Sequence, residues 1–475
     1  MFKKLFSDTV IYTIPTVFNR LIGVFFSIFL VRYLGPESFA SVELVLLMLI
    51  FLERILSLEI DRGFGREVVK KTDEEISRYI STYLFFLLGN FLIFGFLFLF
   101  SPNYLLGRIF SENIIKIDFA IFFLAFVFSN LFYLKILEIF RWSLFSKTYS
   151  FLSLGGMMLT SSLSFLFIYF ISKSLESFVL GQLIGQLIMV IIGLIILQNK
   201  FKLGFVFKLE QLRKMITFSF PIFVFFILLY FLTYMDRWAL NYFHSSTEVG
   251  IYSGIYRVTS ILSIALLGSR LAFTPVAFRN IESKYEFSSI FHFIIFSLFS
   301  VGIFISGFAY PITNILIGSP YSDFSHLLPI LILAKIFFTA FVFSPGLEIK
   351  KETKKMILIA LIPLILGIPL TIFFTMQYSV LGTALSTCFS SLIFITTFLA
   401  INQRTGLVKY NWAGFIKLLI IFVLNSLILT LLNSILIKLV IVPLSIYLFW
   451  KVLFSSREKE VLFKGAGEIK EYFIK

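Results

Sequence analysis

Arg20, Arg54, Arg257 and Lys335 stand inside stretches otherwise built from Phe, Leu, Ile and Val. In hydrocarbon each such charge costs about 2.5 to 3.5 kcal/mol near the midplane, so side chains of this kind normally face protein, water or an anion. Thr16, Arg20, Gly23 and Ser27 follow one another at spacings of three and four, which gives one helix face a small, polar stripe. Ser253, Arg257 and Ser260 repeat the pattern, and Lys335 has Thr339 one turn away. A guanidinium is a planar, permanent charge whose fork matches phosphate or carboxylate. The four cations therefore read as a cavity lining suited to an anionic ligand. A site for a cation would instead want unpaired carboxylates, and the apolar stretches offer few: Glu43, Glu53 and Glu138.

Plainer roles compete with that reading. Arg54 pairs equally well with a carboxylate such as Glu53 or Glu59 and so ties two helices together. Lys335 has a stem long enough to snorkel, whereas Arg20 lies too far from either end of its stretch to do so easily. Asp236 and Arg237, with Glu53, read as a gate or as ion pairs. Sequence neighbours do not face each other on a helix, so Asp236 and Arg237 are each expected to find a different partner. Tyr230, Tyr234, Tyr242, Tyr252 and Tyr256 gather around two neighbouring stretches; an interfacial aromatic belt accounts for most of them, and stacking on sugar rings is the alternative.

The elements that must position these residues are membrane helices. Of 475 residues 59% are hydrophobic and only 14% charged, and mean hydropathy is +0.97. That is far from a soluble globular composition. Fourteen apolar stretches can be marked, at 10–31, 41–58, 79–100, 117–137, 149–171, 178–197, 216–235, 250–271, 290–310, 327–343, 356–375, 380–401, 412–432 and 435–453. The formal charge of +15 suggests nucleic acid in a soluble chain. Here the basic residues alternate from connector to connector instead. Placing the N-terminus in the cytoplasm leaves about 30 Lys and Arg inside, Lys135, Arg141 and Lys147 among them, against 6 outside, which include Arg32, Arg237 and Lys438. That asymmetry puts both termini in the cytoplasm and implies no nucleic-acid partner. The first stretch lacks a small-x-small cleavage site and reads as a retained helix.

An internal duplication shows at offsets of roughly 200 to 210 residues. Val179-Leu180-Gly181 matches Val380-Leu381-Gly382, Pro15 matches Pro221, and Glu37 matches Glu248. The simplest organisation is a six-helix lobe at 1–205, a second at 206–410, and two further helices with a basic tail at 411–475. Six is even, so the repeat is parallel and encloses a central cavity. Catalytic patterns are missing: one cysteine, Cys388, three separated histidines, no nucleophile elbow and no phosphate-binding loop. The chain is expected to be no enzyme and to need no metal or cofactor, with an ion gradient or a partner supplying any energy.

The order of motifs resembles a known family. Arg32-Tyr33-Leu34-Gly35-Pro36-Glu37-Ser38-Phe39 is similar to the RYLGPxxF/YG signature of bacterial polysaccharide flippases. Asp61-Arg62-Gly63-Phe64-Gly65-Arg66-Glu67, Phe218-Ser219-Phe220-Pro221, Asp236-Arg237 and Glu248-Val249-Gly250-Ile251-Tyr252-Ser253 follow in the family's order, as do Thr274-Pro275 and Gly382-Thr383-Ala384. Ala40 departs from the usual glycine. The resemblance is to the O-antigen and polysaccharide flippase branch of the multidrug/oligosaccharidyl-lipid/polysaccharide exporter superfamily. It implies an all-α, polytopic, MATE-like fold in the inner membrane. It further implies alternating access that carries an undecaprenyl-diphosphate-linked oligosaccharide outward for lipopolysaccharide O-antigen or another surface polysaccharide. Membrane lipids, a glycan polymerase and chain-length machinery are the implied partners. A cation-coupled multidrug exporter shares the fold, and a membrane glycan polymerase or ligase is the enzymatic alternative, against which the short outer connectors speak.

Overall fold

The computed structural model describes residues 2–69, 71–100, 102, 107, 117–265, 284–340, 354–406, 410–432, 434–455 and 458. Among these the regular structure is helical, without a strand. In a bilayer only helices and closed barrels satisfy every backbone polar group internally. Eight of the described helices are long and apolar enough to cross, and a bent pair supplies one more candidate.

By packing, the chain divides into two compact units, residues 1–254 and 255–475. The first begins with α1 (Phe2–Ser57), which runs on through the expected connector and breaks at Gly35, at φ 76° and ψ 172°. Only glycine takes that positive φ freely, and Pro36, with its fixed φ and no N–H, then opens the next arm. After it come α2 (Ile60–Glu67), α3 (Asp73–Phe100), α4 (Ile117–Trp142), α5 (Ser146–Phe170), α6 (Leu175–Phe201), α7 (Leu209–Phe243) and α8 (Ser246–Val258). The division between the units falls within α8. The motifs around Gly35 and Gly250 meet inside the first unit: a Cβ on Gly250 would lie 1.8 Å from the Pro36 carbonyl oxygen, so the two backbones touch where only glycine fits.

The second unit continues with α9 (Ser260–Ala265), α10 (Lys284–Gly307), α11 (Ala309–Leu316), α12 (Leu328–Ala340), α13 (Lys354–Gln403), α14 (Trp412–Leu431) and α15 (Ile435–Leu453). Residues 291–307 of α10 meet α11 at 79°. Like α1, α13 joins two apolar stretches across one residue, here Ser379 at φ 49° and ψ −128°. The matched triplets have matched work. A Cβ on Gly181 would lie 2.3 Å from the Ser164 backbone nitrogen, and one on Gly382 would lie 1.9 Å from the Phe374 carbonyl oxygen. Each glycine sits where a helix crosses the one before it.

Several expectations lie outside the described residues: Arg270, Thr274-Pro275, the ends of stretches 250–271 and 327–343, and the basic tail beyond Glu458. The side chains of Pro15 and Thr16 lie outside them as well.

Candidate functional site

Two charged clusters sit in the first unit, one toward each end of the second arm of α1. Glu43 and Glu53 are ten residues apart on that arm, about 15 Å along a helix.

At the Glu53 end, Lys135 of α4 is the centre. Its side chain is only 5% exposed, and its ammonium pairs with Glu53 and, at 3.2 Å, with Asp61. The expectation that Lys135 belonged to a basic connector is corrected here: the lysine lies within α4, deep among the helices. The next residue of α1 after Glu53 is Arg54, which pairs with Glu59. Arg62 lies 3.8 Å from Glu59 and 3.5 Å from Asp61, and Arg141 pairs with Glu138. Burial pushes the Glu59 carboxyl above its ordinary range, against the pull of Lys135 and Arg54. Burial opposes the charge on Asp61 too, but Lys135 and Arg62 outweigh it and hold that carboxyl below its ordinary range.

α2 reaches this cluster because its glycines admit close neighbours. The Gly63 N–H donates to Ser219 Oγ at 2.9 Å. A Cβ on Gly63 would lie 2.2 Å from the Met215 carbonyl oxygen, and one on Gly65 would lie 2.2 Å from the Trp142 ring. Clamped between α7 and α4, α2 directs Arg62 and Arg66 onto the aromatic side of α7. Arg66 stacks 4.6 Å from the centre of the Phe218 ring, and Arg62 and Arg54 lie 5.7 and 4.7 Å from that of Phe226.

At the Glu43 end, Arg237 of α7 is 1% exposed. Its Nη1 donates to Asp236 Oδ1 at 2.9 Å and to the Thr233 carbonyl at 3.1 Å, and its Nε lies 3.6 Å from Glu43. Tyr252 of α8 donates to Asp236. Sequence reasoning expected Asp236 and Arg237 each to find a different partner, and Arg237 does reach Glu43 while Asp236 accepts from Tyr252. The sequence did not show that the long arginine also folds back onto its neighbour or that the pair is buried. Tyr230 also departs from the belt reading: it is 3% exposed, donates to the Leu47 carbonyl at 3.1 Å and accepts from Trp238 Nε1 at 3.0 Å.

The remaining candidates stand elsewhere. Arg20 is exposed on the first arm of α1, which is tied to α5 by Asn19 Nδ2 donating to Ser153 Oγ at 2.5 Å. In the second unit Arg257 is half-buried, and the Lys335 ammonium lies 5.5 Å from the centre of the Tyr256 ring. Of the expected lining, then, Arg54 joins Glu53 in a network, while Lys335 meets an aromatic face beside Arg257. Glu59 is one of the two partners the sequence offered Arg54, whereas Lys135 and Asp61 were not singled out from sequence, because their partners come from different helices and spacing along one helix does not reveal them. Among the described residues no group of three His, Cys, Asp or Glu side chains is arranged to hold a metal.

A family model described as "Polysaccharide biosynthesis protein" matches residues 5–280. No curated protein sequence matches the chain. Among solved structures it is similar to "Lipid II flippase MurJ, inward closed conformation", at 17% identity and a TM-score of 0.74 over 93% of this chain and 98% of that one. It is also similar to an inward-facing multidrug resistance MATE family transporter of the MOP superfamily, at 14% identity and a TM-score of 0.63 over 84% of this chain and 99% of that one. An outward-facing transporter of the same description gives 18% identity and a TM-score of 0.55 over 84% and 95%.

Proposed function

Since the chain belongs to the polysaccharide biosynthesis protein family, and has the fold of flippases and MATE transporters, we propose that it flips an undecaprenyl-diphosphate-linked oligosaccharide across the inner membrane. The cargo serves O-antigen or another surface polysaccharide, and movement is by alternating access with both termini cytoplasmic. One observation favours an anionic head group over a cationic drug. The carboxylates of the two clusters, Glu43, Glu53, Glu59, Asp61, Glu138 and Asp236, each lie within 4 Å of a Lys or Arg nitrogen. A cation arriving there meets acids already answered by bases, and Arg20, Arg257 and Lys335 are assigned to the anionic head group. Permanent charges of that kind take over from water around a diphosphate, so the barrier to crossing falls. Arg54, paired with Glu59, is assigned to the network rather than to the cargo.

The test uses proteoliposomes carrying a lipid-linked oligosaccharide, with glycan exposure read by an impermeant oxidant. Wild type should raise the exposed fraction, and Arg20→Ala, Arg257→Ala and Lys335→Ala should each slow the rise without lowering membrane insertion. Equal rates in all three variants overturn the cationic assignment. Export of cationic dyes, with no movement of the glycan, establishes the drug-exporter reading instead.

A further inference from the structure

Arg66 is the exposed arginine of the α2 edge, and among the described residues it forms no ion pair. What holds it is the face of Phe218, 4.6 Å away. A guanidinium held over a ring face by cation–π attraction still has N–H groups to offer a second partner, and its fork matches phosphate. One helical turn earlier, Arg62 lies over Phe226 with Glu59 and Asp61 answering part of its charge. Phe218 and Phe226 stand eight residues apart on α7, about 12 Å, so the edge is a ladder of two stacked arginines whose outer rung is uncompensated. Val69 and Phe220, 62% and 51% exposed, place apolar surface near this rung in sequence. An exposed cation on a surface otherwise rich in exposed apolar side chains suits a ligand that is itself a phosphate joined to hydrocarbon.

We propose that Arg66, stacked on Phe218 and seconded by Arg62, is a docking station for the diphosphate of the lipid-linked cargo, separate from Arg20, Arg257 and Lys335. The inference rests on the flippase reading for its choice of occupant. Phospholipid head groups share the phosphate chemistry, so the experiment separates the two sources.

Purified full-length protein in detergent is titrated with undecaprenyl diphosphate, with undecaprenol and with phosphatidylglycerol. Wild type should prefer undecaprenyl diphosphate to both others. Arg66→Ala should weaken that binding about ten-fold or more, the size of one lost charged contact. Arg66→Lys and Phe218→Leu should each weaken it several-fold, because one removes the planar fork and the other the surface that orients it. Arg78→Ala, which deletes a cation paired with Glu74 elsewhere on the surface, should leave it unchanged. Thermal unfolding at the wild-type temperature shows that each variant is folded. Equal loss in Arg78→Ala, or no loss in Arg66→Ala, overturns the station, and phosphatidylglycerol binding as tightly as the diphosphate overturns its occupant. A wild type that binds the diphosphate but moves no glycan in proteoliposomes refutes the flippase reading while leaving the station standing.

Discussion

The interiors of the two units are polar in different ways. The first buries full charges, Lys135 at one cluster and Arg237 at the other, and each pair joins separate helices: α4 to α1 and α2, α7 to α1. Among the described residues of the second unit, the buried polar groups are mainly hydroxyls that turn back on their own helix. Ser306 donates to the Gly302 carbonyl at 2.8 Å, Ser386 to Thr383 at 2.9 Å and Ser391 to Cys388 at 2.9 Å. A hydroxyl satisfied within its own helix places no demand on the neighbour, so helix positions there depend on shape, as at Gly302 against Ile332 and Ile336. A buried lysine demands its carboxylates from other helices and fixes where those helices must be. The first unit is held by charge complementarity and the second by packing.

Two substitutions test that contrast directly. Lys135→Met keeps much of the side-chain volume but strands Glu53 and Asp61. Breaking a buried pair in this way costs about 3 to 5 kcal/mol, and it should appear as a large fall in thermal unfolding temperature in detergent. Adding Glu53→Gln and Asp61→Asn should restore much of the loss, since the harm comes from unpaired charge rather than from a cavity. In the second unit Thr383→Val removes a hydroxyl that bonds Ser379 and meets Thr375 at 3.1 Å. Its expected cost is about 1 kcal/mol, read in the same assay. Equal effects at the two sites would end the distinction between a charge-held unit and a shape-held one.

Much of the architecture was legible in the chain, because hydrocarbon leaves so few options. The described parts of the apolar stretches fall on the helices, and the breaks at Gly35 and Ser379 fall in the connectors expected between stretches. The matched Val-Leu-Gly triplets were read as traces of a duplication, and both of their glycines stand where another stretch of backbone comes close. The candidate site was legible only in part. Charge counting treated Lys135 and Arg237 as connector residues, since each lies near the end of an apolar stretch. Their partners are remote: Glu53 and Asp61 precede Lys135 by more than 70 residues, and Glu43 precedes Arg237 by more than 190. Helical periodicity shows which residues share a face but not which faces meet. It also left unseen that Phe218 and Phe226 would carry arginines from α2, since a phenylalanine in so apolar a chain gives no signal of its own.

The smallest expected effect sharpens the comparison at a charged cluster of the second unit. His292 of α10 bonds Glu458 through Nδ1 at 2.7 Å, and its Nε2 accepts the Asn411 backbone N–H at 3.3 Å. The Ser455 backbone N–H and hydroxyl add bonds to the same carboxylate, at 2.9 and 2.7 Å. Burial works to raise the Glu458 carboxyl, yet the His292 bond and the Ser455 bonds prevail and bring it from 4.5 down to about 2. A carboxyl lowered on folding gives stability that is complete above its unfolded value and disappears as pH falls through the folded one. Glu458→Gln retains an acceptor for His292 and loses only the charge, so its unfolding temperature should drop by about a degree or two at neutral pH. The gap from wild type should close as pH is lowered from 4.5 toward about 2. A gap that stays constant over that window would mean that the contact acts through shape alone, and the second unit would then owe nothing measurable to charge at this cluster.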